Sequence, residues 1–185
     1  MSAASRIDDI IAKDDILTAV HAYMRGQDRL DPRIQRSAFH DDAYVNYGGF
    51  EAGPDDYVAF AQGALSEQFE ASHHMLGQVS IEVDGKRAQG EVYFIAWHRM
   101  RNRPEPEDMI IGGRYIDEYA DRGQGWKIAA RRELIDWARI VPAADNFISS
   151  QIDLHFGRRD GRDFSQTRDW PTTTWAAAVA APLTE

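Results

Sequence analysis

"MLGQVSIEVDGKRAQGEVYFIAWHRM", residues 75–100, decides the fold. Apolar and polar residues alternate through Met75 to Val83 and again through Ala88 to Met100, the period of a strand whose two faces meet different surroundings. Asp84-Gly85 between them is a turn signal, because glycine takes a positive φ without steric cost. Two more β-patterned segments follow, Met109 to Tyr119 and Trp126 to Trp137, separated by a Pro104/Pro106 loop and by Gly123-Gln124-Gly125. Long strands joined this way predict a meander.

Upstream the period changes. Ile7, Ile10, Ile11, Ile16, Val20, Tyr23 and Met24 recur at helical spacing, which predicts two consecutive amphipathic helices or one bent helix from about Ser5 to Leu30. Asp31-Pro32 opens a short helix reaching about Phe39, "AYVNYGG" (residues 43–49) reads as a strand, and Gly53-Pro54-Asp55-Asp56 opens a helix striped with Tyr57, Phe60, Ala61 and Leu65. Helices first and strands afterwards predict an α+β fold, with N-terminal helices on one face of a strongly curved antiparallel sheet that closes into a cone. No Rossmann or phosphate-loop glycine pattern occurs. The pattern weakens after Ala143, dividing the chain into a domain over 1–142 and a C-terminal extension over 143–185 that packs over the domain or a neighbouring subunit.

Composition narrows the chemistry. The chain has 185 residues, 43% hydrophobic and 28% charged, enough for one sizeable core. It contains no cysteine, which excludes thiol nucleophiles, thiolate metal sites and disulfides. A net charge of −9 disfavours nucleic acid, and "FGRRDGRDF" (156–164) interleaves arginine with aspartate, which reads as a solvated, self-neutralised loop. "MSAASRIDDIIAKDD" has acids where a signal peptide needs an apolar run, and no stretch reaches the roughly 20 apolar residues of a membrane span, so the expectation is a cytoplasmic protein with no membrane partner.

Several polar residues interrupt otherwise apolar elements. Asp28 follows Tyr23 in "HAYMRGQDRLD", at a helix end where the dipole disfavours a carboxylate. His73 and His74 enter the first long strand and must point to opposite faces, so at most one faces the cavity. His73 shares its parity with Met75, Gly77 and Val79, and His74 with Leu76 and Gln78, which separates the two only weakly. Tyr47, Tyr93, Trp97, Tyr115 and Trp137 supply aromatic faces for a core or for an aromatic or alicyclic ligand. Of Arg131 and Arg132, one points inward and needs a carboxylate or anionic ligand, for which Asp28, Glu133 or Asp136 can serve. No His-Glu-x-x-His or Gly-x-Ser-x-Gly motif occurs, so the expected chemistry is proton transfer with no metal and no cofactor.

The ordered segments "YMRGQD", "AYVNYGGFEAGP", "SHHMLGQVSIEVDG", "IIGGRYIDEY" and "GWKIAARR" resemble the SnoaL-like branch of the nuclear transport factor 2-like superfamily, from about Ile7 to Trp137. That group includes the lindane dehydrochlorinase, scytalone dehydratase and bile-acid 7α-dehydratase. The resemblance implies a cone-shaped, cystatin-like roll with an Asp/His dyad inside. Carried over by position, it assigns catalysis to Asp28 and His74, with Tyr23 and Arg131 beside them, and substrate contact to Tyr47 and Tyr115. Trp97 and Trp137 join the substrate-binding group as cavity aromatics. The second catalytic histidine of scytalone dehydratase finds no equivalent at Ile116 or Asp117, and His98 reads as lying elsewhere on a strand.

The resulting expectation is a cofactor-independent lyase that eliminates water or a similar group, or releases an aldehyde by retro-aldol cleavage, from a small hydrophobic cyclic or aromatic substrate. The alternatives are a ketosteroid-type isomerase and a non-catalytic binding or assembly module on the same fold. The resemblance also implies a homo-oligomer, a trimer or a dimer.

Overall fold

A computed structural model describes residues 3–145 and 154–170, with side chains from residue 6 onward. The periodic N-terminal segment forms one helix, α1 (Ala3–Asp28). Its buried stripe is Ile16, Val20, Tyr23, Met24 and Gln27, whereas Ile7, Ile10 and Ile11 remain more than half exposed. Leu30 takes a positive φ and turns the chain, and Asp31 caps α2 (Pro32–Ser37) by accepting from the backbone N–H groups of Arg33 and Ile34. Gly26 permits this sharp reversal: a Cβ there would lie 2.4 Å from the Gln35 backbone nitrogen. Strand β1 (Phe39–Asn46), the two-residue β2 (Glu51–Ala52) and α3 (Pro54–Gln68) follow.

The meander comprises β3 (Phe69–Asp84), β4 (Arg87–Met100), β5 (Glu107–Asp121) and β6 (Trp126–Pro142). It completes a six-stranded sheet of order β2-β1-β6-β5-β4-β3. Four neighbouring pairs are antiparallel, as the turns demand. The β1–β6 pair is parallel, which corrects the expectation of a wholly antiparallel sheet. β1 and β6 are joined through β2, α3 and the first three strands of the meander, so no tight turn dictates their relative direction.

Strands β4 and β5 bury alternate residues against the helices. Val92, Phe94, Ala96 and His98 of β4 and Tyr115, Asp117 and Tyr119 of β5 are buried, while Tyr93, Ile95 and Ile116 lie on the opposite, outer face. Register shifts between Leu76 and Val79 in β3 and between Gly112 and Gly113 in β5 interrupt the ladder. Such bulges bend a sheet, here around the helical layer.

Residues 154–170 lie across the ends of α1 and α3. Arg159 donates to the carbonyls of Leu65 and Phe69 at 3.2 and 3.0 Å, Arg25 reaches Ser165, and Arg29 pairs with Asp163 at 3.6 Å. Asp163, 5% exposed, caps the short helix α4 (Phe164–Thr167) and accepts from the Arg158 backbone. The self-neutralised reading of this loop therefore holds for Arg158 and Arg162, which share Asp160, but not for Arg159. The expectation for the rest of the tail, 171–185, lies outside the described residues.

Candidate active site

The helix-end carboxylate and the strand-entry imidazole meet. Asp28 Oδ1 accepts from His74 Nδ1 at 2.7 Å and from Ser72 Oγ at 3.1 Å, while Oδ2 accepts from the His74 backbone N–H at 3.0 Å. These bonds explain what holds an acid at the unfavourable end of α1. Burial by itself would raise the Asp28 carboxyl, but hydrogen bonds and charge from His74, aided by Ser72, overcome that and lower it. An ionised Asp28 requires a proton on Nδ1, which leaves Nε2 as the basic atom of the ring. His74 points inward and His73 is exposed on the outer face.

His98 stands beside this pair. It lies opposite Ser72 in the β3–β4 register, and its ring meets that of His74 edge to face at a centroid distance of 5.2 Å. This corrects the reading that His98 lies elsewhere. Burial, helped by the neighbouring His74, lowers the His98 imidazole to about 4, so it is neutral at pH 7, and its Nδ1 is buried without a partner. Phe69 packs on its other side at 4.6 Å.

Deeper in the cone lies a phenol cluster. The Tyr23 hydroxyl is hydrogen-bonded to those of both Tyr47 and Tyr57, and Tyr23 packs edge-on to Tyr115. Burial pushes all four phenols up, so they remain protonated donors at neutral pH. Arg131, 1% exposed, is sandwiched between the Tyr23 and Tyr115 rings at 4.2 and 4.1 Å.

The carboxylate that satisfies Arg131 is none of the three anticipated. Arg131 Nε and Nη2 donate to the two oxygens of Asp117 at 2.7 and 2.6 Å, and Tyr119 adds a hydroxyl donor at 2.6 Å. Asp117 shares the inner face of β5, and the register sets it directly opposite Arg131. Asp28 is committed to His74, and Asp136 binds Arg114 on the outer side. Of the Arg131 guanidinium nitrogens, Nη1 is left without a partner among the described residues.

Asp28, His74, Tyr23, Tyr47, Tyr115 and Arg131 therefore share the interior. Trp97 and Trp137 do not, and their placement as cavity aromatics is corrected. Trp97 pairs with the outward His73 and stacks under Arg99, while Trp137 lies over Gly112 in the row of the exposed Ile95. Alternation puts both on the outer face. The sequence reading gave no site role to Tyr57, Ser72 or Asp117, none of which carries a motif. Among the described residues no group of three His, Asp or Glu side chains is placed to hold a metal ion.

The SnoaL-like domain matches residues 8–132. The chain belongs to this family. The fold recurs in solved structures. A scytalone dehydratase-like protein from Novosphingobium aromaticivorans is 20% identical, with a TM-score of 0.64 over 77% of this chain and 94% of that one. A hexachlorocyclohexane dehydrochlorinase from Novosphingobium barchaimii is 18% identical, with a TM-score of 0.63 over 84% and 98%. A protein from Kribbella flavida is 16% identical, with a TM-score of 0.63 over 71% and 95%. No curated protein matches. At these identities the SnoaL-like chain shares a fold with those proteins, and function must be argued from its own site.

Proposed function

We propose that this SnoaL-like protein is a cofactor-independent lyase acting on a small hydrophobic cyclic or aromatic substrate. The observation that carries the reading is the 2.7 Å contact between His74 Nδ1 and Asp28, a separation well inside the roughly 3.2 Å reach that acid/base partners need. His74 Nε2 removes a proton next to an activating group, and Asp28 holds the tautomer and stabilises the imidazolium. Elimination of water or a similar group follows, or retro-aldol release of an aldehyde from an aryl-alkyl alcohol. Tyr47, the half-buried end of the phenol cluster, is the hydroxyl placed to meet a developing oxyanion. Tyr23 and Arg131 act through it by orienting its hydroxyl and bracing the rings.

Titratable groups at the end of an apolar, aromatic-lined interior favour this over a purely binding role. The likeness in fold to a dehydrochlorinase and to a scytalone dehydratase-like protein supports it. The test is turnover of a panel of cyclic β-hydroxy ketones and aryl-alkyl alcohols followed by mass spectrometry. A fragment lost by the wild type, and retained by His74→Ala and Asp28→Asn, supports the lyase. Product of unchanged mass indicates an isomerase, and turnover by His74→Ala at the wild-type rate removes the mechanism.

Self-association through the outer face belongs to the same proposal. Tyr93, Ile95, Ile116, Leu134 and Trp137 are each at least 36% exposed there, interspersed with arginines and acids, so one copy offers another both apolar area and opposite charge. No helix among the described residues is long and apolar enough to cross a membrane.

A further inference from the structure

The segment 158–168 lies beyond residue 132, where the family match ends, and it joins the two elements that carry the dyad. On one side is the end of α1. Arg25 donates to Ser165 Oγ at 3.2 Å, Arg29 Nε stands 3.6 Å from Asp163 Oδ2, and Asp28 lies between these two arginines in the chain. On the other side is the junction of α3 with β3. Arg159 Nη2 donates to the carbonyl of Leu65 in the last turn of α3, and Nη1 to that of Phe69 at the head of the strand that carries His74. Asp163 closes the link, because its Oδ2 also accepts from the Arg158 backbone N–H at 2.8 Å.

A cation suits the last turn of a helix, where carbonyls lack helical partners. Arg159 directs both terminal nitrogens there, and among the described residues no carboxylate is hydrogen-bonded to it. Its Nε is buried without a partner. The charge is therefore felt by the dyad: Asp28 and Arg159 attract each other, and Arg159 helps to keep His98 unprotonated. The grip on Phe69 also reaches the base through contact. The Phe69 ring packs on His98 at 4.6 Å and His98 on His74 at 5.2 Å, a continuous row of rings. The ionisable groups around the dyad are thus His98 from β4 and Arg159 from the extension. Those around Arg159 are Asp28 and Arg29 at the end of α1, and Arg101 after β4, which shares the Phe69 carbonyl at 3.3 Å.

We propose that Arg159, from outside the matched domain, is a positioning residue of the candidate active site, holding the α3–β3 junction against the end of α1 so that His74 and Asp28 stay within hydrogen-bond reach. The inference rests on the lyase reading above. Arg159 touches neither the substrate nor the transferred proton. Its charge adds a second effect: a cation beside the pair disfavours an added proton, so His74 stays a free base to lower pH.

Two variants separate position from charge, because Arg159→Gln removes the charge and the two-pronged grip, whereas Arg159→Lys keeps the charge. With 3-hydroxycyclohexanone, Arg159→Gln is expected to lose about 10- to 100-fold in kcat with KM within about threefold of wild type, since the residue acts on the base and not on the substrate. The acid limb of its kcat/KM profile moves to higher pH, on the order of half a unit, once the cation that opposed protonation is gone. Arg159→Lys restores the pH profile and recovers part of kcat. A residue that served the fold alone would lower the thermal midpoint and leave that limb in place. Proton NMR reads the same effect without turnover: the ring resonance missing from His74→Gln titrates at higher pH in Arg159→Gln and returns to its wild-type midpoint in Arg159→Lys.

Wild-type kcat in Arg159→Gln, with the acid limb and the His74 resonance unmoved, overturns the assignment and spares the lyase reading. Equal losses of kcat in Arg159→Gln and Arg159→Lys with both midpoints unmoved also overturn it, because that pattern reports folding alone. No turnover by wild type, or turnover by His74→Ala, defeats the lyase reading on this probe. The resonance then decides alone, and a midpoint that stays put in Arg159→Gln overturns the coupling of Arg159 to the pair.

Discussion

Asp28 holds His74 at two points at once, one carboxylate oxygen on the ring and the other on the backbone N–H of the same residue. The imidazole is thereby fixed both in tautomer and in its position along β3. Asp28→Asn removes the negative charge that stabilises a protonated ring, so turnover should fall by about 100- to 10,000-fold. The fold should lose only about 1–3 kcal/mol, the worth of hydrogen bonds to a charged group. Steady-state rates and denaturant unfolding of the same preparation check both numbers.

His98 should make the protein acid-sensitive. Its folded value of about 4 lies below the ordinary value of 6.5, so the unfolded chain binds a proton that the folded one refuses. Its contribution is full above pH 6.5 and is lost as pH falls towards 4, a change of about 3 kcal/mol. Unfolding free energies measured from pH 7 to 4 should show that slope, and His98→Gln should reduce it.

Arg131 and Asp117 are both fully buried, so removing one strands the other. Arg131→Met should cost about 3–5 kcal/mol, and Asp117→Asn should also destabilise. A double replacement by apolar residues should be milder than the sum of the singles. A double-mutant cycle in urea tests this coupling.

The outer face makes its own prediction. Ile95→Asp or Ile116→Lys places a charge in the apolar patch without touching the inner face, so the proposed homo-oligomer should dissociate while unfolding of the isolated subunit changes little. Light scattering coupled to size exclusion reads the mass. A wild-type mass of one chain, or a mass unchanged by either substitution, overturns the proposal that this face joins subunits.

Much of this architecture is local and therefore readable. The Asp84-Gly85 turn pairs Asp84 with Arg87, and counting outward from it sets His98 opposite the histidine pair before any bulge is considered. That signal was present and unused. The bulge between Leu76 and Val79 then changes which residues share a face: Val79 joins His74, although their parities differ. Strict alternation could not choose between His73 and His74 for that reason.

Other features have no local signature. The parallel β1–β6 pair joins segments separated by β2, α3 and the first three strands of the meander, and Asp117 is one acid among many until the register sets it against Arg131.

Helix period, turn chemistry and strand alternation depend on neighbours within a few residues, so the chain by itself determined its α+β class, its element order and the types of residue available for proton transfer. Which acid meets which base was decided only in three dimensions. A carboxylate gains or loses its proton according to burial and the charges within a few ångströms, and those neighbours come from strands and helices far apart along the chain.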